Sequence, residues 1–167
     1  MSTNNKTTPH LKNETVSSVR LKELADAVVR HGGNIPEGFD IDEIHWVKTE
    51  NHSIGITDLE GSHVAKDQGY VVINTAGELE DDSPADFHFD IHPDSWNIND
   101  ELDKVVNCIH NNIDKGVVVH CAMGMERSPL SVVWYLKTHN GLSIDQAYEE
   151  IRKTRPIVMD RRSWLNT

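Results

Sequence analysis

One short stretch, HCAMGMERSP from His120 to Pro129, gathers the residue types that phosphate chemistry needs. Cys121 follows the apolar run Val117–Val119, and Arg127 comes six residues later. A strand that feeds a loop and then a helix turns the loop's N–H groups and the helix N-terminus toward one small volume, a cradle for an anion. Gly124 supplies a position free to take a positive φ, which a tight loop around a tetrahedral anion needs. The Arg127 guanidinium offers a planar fork to two anionic oxygens. The same positive surroundings pull a thiol below its usual ~8.5, so Cys121 is expected to be a thiolate at neutral pH and to attack phosphorus. A lone cysteine after a valine strand is otherwise a small buried apolar residue. That alternative leaves the glycine, arginine and serine at these offsets without a purpose.

The elements that must position this stretch are legible on either side. Ile98, Leu102, Val105, Ile109 and Ile113 line one helical face, and Gly116 stands where a helix-ending glycine belongs. Val117–Val119 then reads as a fully buried strand. A helix is predicted from about Pro129 to His139, and another from Ser143, with Gln146 at capping-box spacing, to a point before Pro156. Upstream, 43–48, 53–57 and 70–74 read as strands, and Phe87, Phe89 and Ile91 alternate as on a half-buried strand. GELEDDSPAD between them reads as an acidic, solvated loop. Strands alternating with helices predict an α/β fold: a single layered domain with a mostly parallel central sheet flanked by helices, and the Cys121 loop between a strand and a helix. Residues 1–13 read as a polar, disordered N-terminus, 14–42 as an N-terminal helix and connector, and 43–167 as the catalytic domain.

Composition narrows the partners. A formal charge of −11 argues against nucleic acid or an anionic membrane, both of which need a basic footprint. No apolar run of membrane-spanning length occurs, and two cysteines, Cys108 and Cys121, do not make a secreted disulfide scaffold. A cytoplasmic monomer is expected.

His120-Cys121, five residues and Arg127-Ser128 match the HCxxxxxR[ST] signature, and the chain resembles the dual-specificity branch of the cysteine-dependent protein tyrosine phosphatases. IRKTRP (151–156) and Trp164-Leu165 are similar to that branch's closing segment, so the likeness runs over about 43–166. The resemblance implies that Cys121 is the nucleophile of a cysteinyl-phosphate intermediate. Arg127 binds phosphate and steadies the transition state, and Ser128 hydrogen-bonds the departing thiolate. It also implies a phosphate-binding loop of Cys121, Ala122, Met123, Gly124, Met125, Glu126 and Arg127, supported by His120, with no cofactor or metal. The substrate implied is a phosphorylated protein, phosphotyrosine first and then phosphoserine or phosphothreonine. A non-catalytic module that recognises phosphate is the alternative from another class.

Two positions depart from the family pattern. The general-acid aspartate usually lies five residues before an Asn-Ile pair, and five before Asn97-Ile98 stands His92, flanked by Asp90 and Asp94. Asp94, in the loop after Pro93, is the favoured acid; Asp90 is expected to be held in its strand, and a neutral His92 is a poor donor. Glu126 precedes Arg127 where a small residue is commoner, and either pairs outward or weakens anion binding. His88, Asp90 and His92 share one strand face, so a metal-dependent hydrolase is a further alternative, with a solvated polar face the plainer reading. Cys108 is read as core, with a disulfide to Cys121 as the alternative; Asp58 as a cap; and Arg152, Lys153, Arg155, Arg161 and Arg162 as a solvated face.

Overall fold

The computed structural model describes residues 35–166, together with Asp26. The polar N-terminus and the rest of the helix read over 14–32 lie outside the described residues. Five strands, β1 (His45–Lys48), β2 (Ser53–Thr57), β3 (Val71–Asn74), β4 (Phe87–His88) and β5 (Val117–His120), form one sheet in the order β1-β2-β5-β3-β4. β1 runs antiparallel to β2, and the other neighbours are parallel. Four helices, α1 (Leu59–Asp67), α2 (Ile98–Asn112), α3 (Arg127–Asn140) and α4 (Ile144–Arg152), complete the described fold with short 3-10 turns.

β5 lies at the centre because it is apolar on both faces. Val117 and Val119 pack with Ile54, Ile56 and Ile73 into the large core under α2, α3 and α4. Val118 points the other way, onto Val72 and Ala65 of α1. Thr57 and Asn74 both sit opposite His120, so β2, β3 and β5 end at one level. Cys121 leaves the sheet at that edge, the place where open α/β sheets bind ligands.

Three elements differ from the sequence expectation. α1 has no counterpart in the sequence reading, because its buried face is Gly61, Ser62 and Ala65 while Val64 is exposed, so it carries almost no apolar stripe. β4 is shorter than the alternation suggests: pairing stops at His88, and Phe87 lies on the sheet edge, exposed. The N–H groups of Phe89 and Ile91 still bond to the carbonyls of Asn74 and Thr75, and Ile91 is buried. α3 begins two residues earlier than read. Pro129 falls in its first turn, where a missing N–H costs no helical bond. Ser143 and Gln146 do form the capping box of α4.

Candidate active site

Cys121 is buried at the end of β5, and its loop turns at Gly124, where φ is +67°. A Cβ there would fall 2.7 Å from the Thr57 carbonyl oxygen and 2.6 Å from an Arg155 nitrogen, so glycine is required by space as well as by conformation. Four carbonyls of the loop are engaged from behind. Ala122 accepts from the Leu59 N–H at 3.2 Å and Met125 from the Met159 N–H at 2.9 Å. Gly124 and Met123 accept from the Arg155 guanidinium at 2.8 and 3.0 Å. With its carbonyls turned outward, the planar backbone turns its N–H groups inward.

Arg155 is the peg of this arrangement. It is fully buried, and besides the loop it bonds to the Ile41 carbonyl at 2.9 Å, the Glu43 carbonyl at 3.3 Å and His45 Nδ1 at 2.6 Å. It therefore does not belong to a solvated basic face: only a buried guanidinium has enough donors to join two backbone segments at once. Burial lowers it to about 10, so it stays charged at neutral pH. Beside it Asp58 caps α1, accepting from the Gly61 N–H at 2.8 Å. Burial and the neighbouring Asp42 carboxyl push Asp58 up to about 8.

At the reactive end, Cys121 Sγ lies 3.2 Å from Ser128 Oγ. Burial works against the thiolate, but the Ser128 hydroxyl and N–H, the Arg127 charge and the Gly124 N–H outweigh it, and the thiol is lowered. His120 is buried and pulled down to about 4 by that burial, hence neutral. The Cys121 carbonyl, 3.0 Å away, can only accept, so Nδ1 carries the proton and Nε2 accepts from the Ser83 hydroxyl at 2.7 Å. His120 thus ties the loop 75–86 to the strand end.

Arg127 opens α3 and is gripped through both Nη atoms by Glu78, at 2.7 Å each. That contact holds the Glu78 carboxyl below the usual range. Glu126 pairs with Arg161 at 2.7 Å, so its charge has a basic partner. Asp90, His92 and Asp94 lie on the loop after β4, all exposed; Asp90 is beyond the paired residues rather than inside the strand. The Asp94 N–H bonds to His92 Nδ1 at 3.1 Å. His88 Nδ1 sits 3.1 Å from the Asn74 amide, and among the described residues no three His, Cys, Asp or Glu side chains gather about one point. Cys108, on α2, packs against the core and is pushed up to about 11 by burial.

A model of the dual specificity phosphatase catalytic domain matches residues 66–167, more than half of the chain. The chain belongs to the dual specificity phosphatase family. It is 30% identical over 74 residues to protein 123R of Invertebrate iridescent virus 6, which carries a tyrosine phosphatase name; the match covers 43% of this chain and 52% of that protein. Over 61 residues it is 36% identical to the phosphatidylglycerophosphate phosphatase PTPMT2 of Arabidopsis thaliana, covering 35% of this chain and 27% of the relative. The chain therefore spans about half, and about a quarter, of the length of these curated relatives. Human DUSP28 has the same fold, with a TM-score of 0.58 at 15% identity over 71% of this chain and 86% of that one. Glu78 and Ser83, which hold Arg127 and His120, are neighbours of the candidate site that sequence reasoning missed: both lie in the acidic loop, where no spacing distinguishes a paired carboxylate from a solvated one.

Proposed function

We propose that this family member is a cysteine phosphatase acting on phosphorylated protein, phosphotyrosine first and phosphoserine or phosphothreonine after it. One observation carries the reading: a buried thiol at the end of β5 lies 3.2 Å from the Ser128 hydroxyl, in a loop whose carbonyls are held from behind, and Ser128, Arg127 and Gly124 act together to lower it. Such a thiolate is poised for a dianion.

In the first step Cys121 Sγ attacks phosphorus. A sulfur–phosphorus bond forms, the ester P–O bond breaks, and the proton of Asp94 goes to the leaving oxygen. The equatorial oxygens are held by Arg127 and the loop N–H groups. In the second step water attacks phosphorus and gives its proton to the Asp94 carboxylate. The S–P bond then breaks, and the thiolate returns with the Ser128 hydroxyl donating to it. Asp94 is proposed as the acid on its place in the open loop. Every step uses groups of the chain itself, and the setting proposed is a cytoplasmic monomer.

Hydrolysis of p-nitrophenyl phosphate, blocked by vanadate and indifferent to chelator, is the expected behaviour. Phosphopeptide binding without turnover would favour a recognition module, and activity abolished by chelator would favour a metal-dependent hydrolase.

A further inference from the structure

Next to the phosphate site lies a cleft of about 630 Å³ whose walls include Asp90, Trp96, Asp100, Glu101 and Lys104. Asp90 links the two places. A Cβ on Gly77 would fall 2.9 Å from the Asp90 side chain, and the next residue, Glu78, grips Arg127. Among the described residues the one cation in the wall, Lys104, is taken up by Glu101 at 2.9 Å. Trp96 is 98% exposed, an indole held away from the apolar core of the described fold. Three carboxylates against that single lysine leave the wall net negative, and an indole beside it is a setting for a cation, since tryptophan is the best cation–π partner.

The arginines of the phosphate loop and of the C-terminal segment point the same way, because each is already committed. Arg127 is on Glu78, Arg161 on Glu126, Arg162 on Asp160 and Asp145, and Arg155 on buried carbonyls. A second anionic group on the substrate meets carboxylates rather than a counter-charge, whereas a basic group meets a prepared wall.

We propose that this cleft is a subsite for a lysine or arginine side chain that flanks the phosphorylated residue of a protein substrate, with Trp96 over the cation and Asp90, Asp100 and Glu101 around it. The proposal deepens the phosphatase reading and rests on it for the position of the phosphate.

Binding to the Cys121→Ser protein tests it without requiring turnover. Three labelled peptides share one sequence: a phosphotyrosine flanked by arginines, the same flanked by glutamates, and the arginine version without phosphate. Fluorescence anisotropy should show the arginine-flanked phosphopeptide binding about tenfold or more tighter than the glutamate-flanked one, with the difference shrinking as salt rises. The unphosphorylated peptide should bind weakly. Adding Trp96→Ala and Glu101→Gln should cut the discrimination to about threefold or less. The same pair of changes in the protein with Cys121 intact should leave p-nitrophenyl phosphate hydrolysis within about twofold of wild type, because that substrate never enters the cleft. Equal binding of the two phosphopeptides, or discrimination undiminished by the paired changes, overturns the subsite. So does capture by phosphatidylglycerol vesicles in preference to peptide, or loss of small-substrate turnover in the paired variant. A wild type that binds as described but turns nothing over counts against the catalytic reading alone.

Discussion

Replacing Arg155 by lysine keeps the charge and removes the geometry, and the structure states what that should cost. The guanidinium makes five contacts, at 2.6 to 3.3 Å, to Gly124, Met123, Ile41, Glu43 and His45. An ammonium has three donors on one atom, so at least two of the acceptors lose their partner in a buried site. At about 1.5–3 kcal/mol for each bond to a charged donor, and with partial rearrangement, the loss of stability is about 3 kcal/mol. The loop carbonyls are among those at risk, so the loop N–H groups lose their aim as well. A displacement of about 1 Å costs roughly 100-fold in rate. Urea unfolding gives the stability. The pH dependence of Cys121 alkylation, read by mass spectrometry to separate it from Cys108, reports the loop, and its midpoint should move to higher pH. A loss below about 1 kcal/mol with kcat/KM within about twofold would refute the peg argument. Lost stability with an unmoved alkylation midpoint would show that Arg155 supports the fold but not the loop.

Four further outcomes follow from the same geometry. Ser128→Ala removes a hydroxyl donor 3.2 Å from Sγ; at about 1.4 kcal/mol per unit, the acid limb of the kcat/KM profile should move up by about one pH unit, and an unmoved limb would remove Ser128 from the thiolate's support. Asp94→Ala should slow phosphotyrosine peptide turnover by about 100-fold and flatten the alkaline limb; if Asp90→Ala removes that limb instead, Asp90 is the acid. Glu126→Ser should leave KM and its salt dependence unchanged, since Arg161 already neutralises the carboxylate; a lower KM in a steady-state assay would mean that Glu126 repels substrate. Asp58, raised to about 8 in the folded chain, stays protonated there while the unfolded chain's carboxyl is ionised, so its contribution to stability falls as pH rises from about 4 to 8. Urea titrations of the wild type and Asp58→Asn should converge or cross by about 1.4 kcal/mol per pH unit between pH 6 and 8, and parallel profiles would contradict the raised pKa.

What could be read from sequence was whatever a periodicity or a fixed spacing carries. The apolar stripe of α2, the all-valine β5 and the Ser143–Gln146 cap were legible because each is a local pattern, and all three are present. The loop from Cys121 to Ser128 was legible because the anion cradle needs its residues at set offsets. α1 was lost because its packing face is made of small residues. Arg155 and Glu78 were invisible for another reason: their partners are 31 to 114 residues away, and nothing in RKTRP or GELE records which backbone or guanidinium will close on them. The polarity of Glu126 was an open alternative for the same reason, and it is decided by an arginine 35 residues downstream.

Phosphate is proposed to pass through sulfur at Cys121. Acid quenching during p-nitrophenyl phosphate turnover, followed by peptide mass spectrometry, tests it directly. One phosphoryl group is expected on the peptide holding Cys121, absent from the Cys121→Ser protein and accumulating further in Ser128→Ala, where breakdown is slowed. Turnover with no phosphoryl group on that peptide in either active protein, or with one on another residue, would contradict it.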